Sequence, residues 1–244
     1  MASFLCRVAP RTIWKLRIRK WRLETGEAEQ KILPLLCDRH KVSVDVGAAD
    51  GTYTARLLLY SSSVQAFEPN PRAYGQLKAQ FRYTRIVSVE NVAVSDDRGT
   101  VEMRIPDDRP MLGTIETSNL LAESNKFKSI QVQRKRLDDY ALRSVGFIKI
   151  DVEGHEISVL KGAIETIRRE RPKLLVEIDK SHLEEVRSLL KEMAYSGFFL
   201  LDGELLPVER FDASIHQNPT NLVYGHRVGC YINNFVFLPG TDRH

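Results

Sequence analysis

The segment Val44-Asp45-Val46-Gly47-Ala48-Ala49-Asp50-Gly51 constrains this chain more than any other stretch. It reads as a short β-branched strand entering a tight glycine turn, with a helix over residues 51–60 behind it. Glycine lets the backbone turn sharply and approach a ligand closely, and the helix start presents N–H groups with no partner inside the helix. Seventeen residues after Gly51 comes Glu68, at the tip of a second strand over residues 64–68 and just before Pro69. An acid at that tip is placed to accept hydrogen bonds from a ribose diol. Strand, glycines and acid together point to a nucleoside-containing cofactor.

The dinucleotide fingerprint G-x-G-x-x-G needs a middle glycine to make room for a pyrophosphate. Ala49 stands in that place here, flanked by Asp45 and Asp50. Two carboxylates repel a pyrophosphate but suit a cofactor carrying an ammonium and a sulfonium. The charge pattern therefore favours S-adenosylmethionine over a nicotinamide or flavin dinucleotide. The plainer reading, that each aspartate caps a turn, holds for either one alone. The strand, the glycines and Glu68 outweigh it.

From Lys41 onward, strands alternate with helices, over residues 71–82, 85–94, 147–151, 156–169, 173–178, 181–195, 198–201 and 235–238. Parallel strands need crossovers, so this alternation predicts an α/β fold with a parallel sheet covered on both faces. Ser181 fits the cap of the helix it begins, and Asp138 that of a helix starting at Asp139-Tyr140. Residues 95–138 break the rhythm, with strand-like pieces at 101–105 and 130–134 around a long polar loop of the kind that carries function.

The chain resembles the FkbM-type methyltransferases. The shared segments are VDVGAADGTYT (44–54), FEPNP (67–71), NVAVSDDRGTV (91–101), RLDDY (136–140), FIKIDVEGHEISVLKGA (147–163), RPKLLVEI (171–178) and NFVFLP (234–239). They run in order from about Lys41 to the end, and KIDVEGHE is the most specific. Ala49-Asp50 departs from the family's usual Asn at the first of these two positions. The resemblance implies a Rossmann-like class I methyltransferase fold of seven strands, mostly parallel, with the last antiparallel. It implies that Asp45, Gly47 and Gly51 face the methionine part of S-adenosylmethionine, Glu68 the ribose, and Asn91 and Ala93 the adenine. Ala48, Asp50, Tyr53 and Thr54 complete the turn side of that site, Pro69 follows Glu68, and Asp151 borders it. Members of the family methylate oxygen, often on sugars or hydroxylated natural products. N-methylation on the same fold, a non-catalytic cofactor-binding module and a nicotinamide oxidoreductase are the alternatives.

In an open parallel sheet, ligands lie beyond the carboxyl ends of the strands. The fourth strand ends in Asp151-Val152-Glu153-Gly154-His155-Glu156, a dense run of titratable groups. Methyl transfer from a sulfonium has a good leaving group already; what an alcohol lacks is nucleophilicity, so a positioned base is the useful addition. Asp151 or His155 is the candidate base, with Glu153 and Lys149 arranging the site. Capping of the next helix by Glu153 and Glu156 is the bland alternative. A divalent metal on Asp151, Glu153 and His155 is a secondary reading that would need the backbone bent at Gly154. The loop 106–128, and residues 211–231 with His216 and His226, are candidates for shaping an acceptor pocket.

The chain of 244 residues reads as an extension, 1–40, and a methyltransferase domain, 41–244. The net charge of +4 hides an asymmetry: residues 1–22 hold seven basic side chains and no acid, leaving 29 basic against 32 acidic residues elsewhere. Trp14, Ile18 and Trp21 share one helical face beside those charges, which suits peripheral contact with an anionic membrane. Packing of this helix on the domain is the favoured reading, and no nucleic-acid partner is expected. Three separated cysteines and no apolar run of membrane-spanning length suggest a reduced, cytoplasmic protein acting on a small-molecule or glycan acceptor.

Overall fold

The computed structural model describes residues 28–111, 113–116, 126–223, 226–227 and 229–240. Its centre is an eight-stranded sheet in which strand polarity follows the helical crossovers. Strands β1 (Val42–Val46), β2 (Ser63–Phe67) and β3 (Val87–Glu90) run parallel, as do β7 (Val145–Ile150) and β8 (Lys173–Glu177) on the other side of β1. The last strand, β13 (Asn234–Pro239), lies antiparallel between β8 and β9 (Tyr195–Leu201). The order is β3-β2-β1-β7-β8-β13-β9-β10, the edge strand β10 being Glu204–Pro207.

Alternation along the central strands explains why both faces are covered. Ile148 and Ile150 of β7 and Leu174 and Val176 of β8 point into one buried cluster, Phe147 and Leu175 into the other. The first cluster takes the helices α4 (Glu156–Lys161), α5 (Ile164–Glu170) and α6 (Leu183–Glu192). The second takes α1 (Leu33–Leu36), α2 (Thr52–Tyr60) and α3 (Pro71–Phe81). Leu33 and Leu36 are buried there, and Lys173 donates to the Leu35 carbonyl at 2.6 Å, so residues 33–36 lie against the sheet. The basic segment 1–22, with Trp14, Ile18 and Trp21, lies outside the described residues. No helix among the described residues is long and apolar enough to cross a membrane.

Five expectations need correction. The sheet has eight strands, because β9 turns back into β10 (Glu204–Pro207) through Asp202 at φ 51° and Gly203 at φ 88°. The stretch 85–94 is two strands: β3 ends at Glu90, and β4 (Ala93–Val94) leaves for a second sheet of order β4-β6-β5. That sheet joins β5 (Gly99–Pro106) to β6 (Phe127–Lys135) antiparallel. The helix expected over 156–169 breaks at Gly162, which packs so tightly on Ser95 that a Cβ would lie 1.9 Å from its carbonyl oxygen. The second half, α5, is capped by Asp138 instead of starting its own helix: its carboxylate accepts from the amides of Thr166 at 2.9 Å and Glu165 at 3.2 Å. Ser181 caps nothing; α6 begins after His182, and the Ser181 hydroxyl donates to Asp179 at 2.7 Å.

Candidate active site

The carboxyl ends of β1, β2 and β7 meet where the glycine turn permits. Gly47 sits at φ 79°, and a Cβ there would lie 1.7 Å from the Asp151 carbonyl oxygen, so only glycine lets the two strand ends touch. The Gly47 and Ala48 amides both donate to the Phe67 carbonyl at 3.0 Å. Ala49, at φ 43°, aims its amide at Glu68 Oε2, 2.8 Å away. Gly51, at φ 83°, opens α2, and Asp50 accepts the Thr52 amide at 2.9 Å. Asp50 is thus a turn cap.

Asp45 is fully buried behind this turn. Its Oδ2 accepts the Thr54 hydroxyl at 2.6 Å, while Oδ1 has no protein partner. Burial pushes its carboxyl above the usual range, against the pull of Lys149. Glu68 takes the Asn70 amide at 2.8 Å on its other oxygen. Burial lifts its carboxyl to about 7, although the Asn70 and Ala49 amides oppose the rise. Asn91 braces this corner, donating to the carbonyls of Glu68 at 2.8 Å and Pro69 at 2.9 Å.

At the other end, Lys149 is buried under the cleft floor, 2.7 Å from Asp151 and 4.3 Å above the Tyr53 ring. Burial alone would lower its ammonium, but Asp151 and Asp45 outweigh that and raise it. The turn beyond Asp151 is strained, with Glu153 at φ 52° and Gly154 at φ 99°. Glu156 accepts the Gly154 amide at 2.7 Å, so its role is to cap this turn. Burial, with Asp151 and Glu156 nearby, lifts the Glu153 carboxyl to about 7. His155 is nearly buried, and both its nitrogens are engaged: Nδ1 with Glu116 Oε1 at 2.5 Å and Nε2 with Ser95 Oγ at 2.9 Å.

One cleft of about 820 Å³, counting space open to solvent, joins these ends. Of the sequence-derived candidates, Gly47, Glu68, Pro69, Ala93, Asp151, Glu153 and His155 line it. Asp45, Ala48, Asp50, Gly51, Tyr53, Thr54, Asn91 and Lys149 are not on its surface; they hold the lining residues in place. The cleft's apolar wall was not predicted. Val92 and Val94 flank Ala93, and Met103, Met111 and Ile115 arrive from the second sheet and the strap that follows β5. That strap is fastened at both ends. Asn70 Nδ2 donates to the Pro110 carbonyl at 3.0 Å, and Thr114 Oγ1 to the Glu153 carbonyl at 3.1 Å. Glu177, at the end of β8, also lines the cleft. Of this wall, only the part from the loop 106–128, a candidate for shaping an acceptor pocket, has a signal in the sequence.

His216 is elsewhere, packed at 5.1 and 5.2 Å on the rings of Phe199 and Phe211. Asp151, Glu153 and His155 do not converge, and no group of three His, Cys, Asp or Glu among the described residues is placed to hold a metal. The cleft's donor set fits a cationic nucleoside. It offers a carboxylate for a diol, an apolar wall for a base, and four lining carboxylates, Glu68, Asp151, Glu153 and Glu177, with no lysine or arginine among the lining residues.

Residues 45–196 match the methyltransferase FkbM domain. The chain is 28% identical over 161 residues to the 2-O-methyltransferase NoeI of Sinorhizobium fredii, covering 59% of this chain and 66% of that protein. It is 30% identical over 146 residues to the hexuronic acid methyltransferase AglP of Haloferax volcanii, covering 58% and 59%. The chain therefore spans less than two thirds of the length of either curated relative. A crystal structure of an FkbM methyltransferase from Methylobacillus flagellatus superposes with a TM-score of 0.53 at 18% identity, over 82% of this chain and 44% of that one. That likeness establishes the shared fold.

Proposed function

The chain belongs to the FkbM methyltransferase family, and on that premise we propose that it is an S-adenosylmethionine-dependent O-methyltransferase acting on a hydroxyl of a sugar or related compound. The observation that carries this reading is the single cleft running from Glu68 at the tip of β2 to Asp151 and Glu153 beyond the tip of β7. The activities for which the two curated relatives are named, 2-O-methylation and methylation of a hexuronic acid, support oxygen on a sugar as the acceptor.

Bound in the cleft, S-adenosylmethionine supplies a methyl group on a sulfonium, whose departure as a thioether needs no acid. Glu68 takes the ribose hydroxyls, already oriented by two backbone amides. Val92, Ala93 and Met103, which line the cleft, would enclose the base. The carboxylates of the floor favour the cofactor's positive charge over an anionic dinucleotide. Asp151, fixed by Lys149, orients the incoming hydroxyl. Glu153 takes its proton as the new C–O bond forms, its carboxyl lifted by burial to about 7. His155 does not compete for that role, since neither ring nitrogen is unengaged.

Calorimetry of S-adenosylhomocysteine and NAD binding to wild type and Glu68→Ala tests the reading. Homocysteine-form binding that weakens about 10–100-fold in the variant, with no response to NAD, is expected from loss of two charge-assisted hydrogen bonds. Binding of NAD alone would overturn it.

A further inference from the structure

His155 sits in a chain of contacts that spans three separate elements. Glu116 belongs to the strap, His155 to the turn after β7, and Ser95 and Asp96 to the segment leaving β4. The distances are 2.5 Å from Glu116 Oε1 to Nδ1, 2.9 Å from Nε2 to Ser95 Oγ, and 3.0 Å from Ser95 Oγ to Asp96 Oδ1. Both ends of the chain are carboxylates, which only accept. A hydroxyl has one hydrogen to give. If Ser95 donates to Asp96, Nε2 must carry a hydrogen to reach Ser95, and Nδ1 must carry one to reach Glu116. A neutral imidazole has one N–H and leaves one of the three contacts without a hydrogen.

We propose that His155 is doubly protonated and acts as a positioning residue, its two N–H groups clamping the strap through Glu116 and the β4 segment through Ser95 onto the Asp151–Gly154 turn. The charged groups around it fit a cation. Glu116 lies on the strap, Asp96 stands beyond Ser95, and Asp151 and Glu153 are on its own turn. Lys149, the nearest buried cation, is committed to Asp151 and Asp45. The clamp has a second, uncharged strand beside it: Thr114 holds the Glu153 carbonyl, and the Glu116 amide donates to Thr114 Oγ1 at 3.0 Å. The strap residue Ile115, which lines the cleft, lies between these fastenings, and Gly113, also on the lining, directly precedes them. His155 thus keeps the acceptor-side wall closed on Glu153 without exchanging a proton with the acceptor. This assignment rests on the hydrogen-bond geometry and stands apart from the choice of acceptor.

The test is nitrogen NMR of the histidine rings in ¹⁵N-labelled full chain at pH 7, with His155 assigned by its loss in His155→Gln. Both ring nitrogens of His155 are expected at protonated positions. Glu116→Gln, a near-isosteric change at a partly exposed side chain, should return one of them to the unprotonated position and speed amide exchange at positions 114 and 116 about tenfold or more. Thr114→Val, which loosens the strap without touching the charge chain, should leave both His155 nitrogens protonated. An unprotonated Nε2 in the wild type overturns the proposal. So does a His155 spectrum and strap exchange unchanged in Glu116→Gln. Failure of the methyltransferase reading would appear separately, as absent S-adenosylhomocysteine binding in a wild type whose His155 is still doubly protonated.

Discussion

At the β2 end of the cleft, Glu68 is held by amides of Ala49 and Asn70, and the turn beneath it by the Phe67 carbonyl. At the β7 end, Lys149 holds Asp151, Thr114 holds the Glu153 carbonyl, and Glu116 and Ser95 hold His155. The first end is built from backbone within about twenty residues of chain. The second depends on side chains brought from 39 and 60 residues away. A backbone cradle has few adjustable parts and suits the part of a ligand that never varies. A wall of side chains on a strap can be altered one residue at a time, which suits the part that does.

The comparison breaks most visibly at Gly47, where the two ends touch. Gly47→Ala places a methyl group into the Asp151 carbonyl at a φ that alanine resists. Chemical denaturation should show a loss of about 3 kcal/mol or more, with S-adenosylhomocysteine binding abolished. Unaltered stability would mean the strand ends separate easily, and the distinction between cradle and wall would fall.

Next in size is Glu153→Gln, which should lower turnover about 10²–10³-fold while leaving S-adenosylhomocysteine affinity within about twofold. A base works deprotonated, so wild-type activity should rise with pH through about 7 and level off above it. The residual activity of Glu153→Gln should not follow that rise. A rise that persists in the variant would remove Glu153 from the role of base. The smallest effect belongs to Asp50→Ala, which removes a cap at 2.9 Å and should cost about 0.5–1 kcal/mol with little change in cofactor affinity. A large loss of affinity there would place Asp50 in direct contact with the ligand.

The same division governs what the sequence reveals. The cradle is legible because strand, glycine, helix and acid occur close together and each has a local reason. Asp202-Gly203 is also a local signal, a two-residue hairpin turn between apolar runs, and it announces the eighth strand that alternation alone omits. The break at Gly162 is not legible, since a glycine inside a helical pattern is tolerated until a neighbour, here Ser95, presses on it. Asp138 has the residue type of a cap, but the helix it caps begins 26 residues later, and no spacing rule reaches that far. Glu116 lies outside every shared segment and Ser95 inside NVAVSDDRGTV (91–101), but only the folded chain brings them to His155.

The second sheet that supports the strap is fastened by a small apolar cluster. Ala93, Met103 and Val132 are buried, with Val101, Ile105, Ile115 and Ile130 packed partly against them. So little buried surface, beside the broad clusters of the main sheet, makes this unit cheaper to open than that sheet. Sub-global opening there would expose Met103 and Ile115 while leaving Glu68 and its cradle intact. On the proposed function, a ligand held behind that wall would leave at a rate set by this small unit's stability and not by the stability of the fold as a whole.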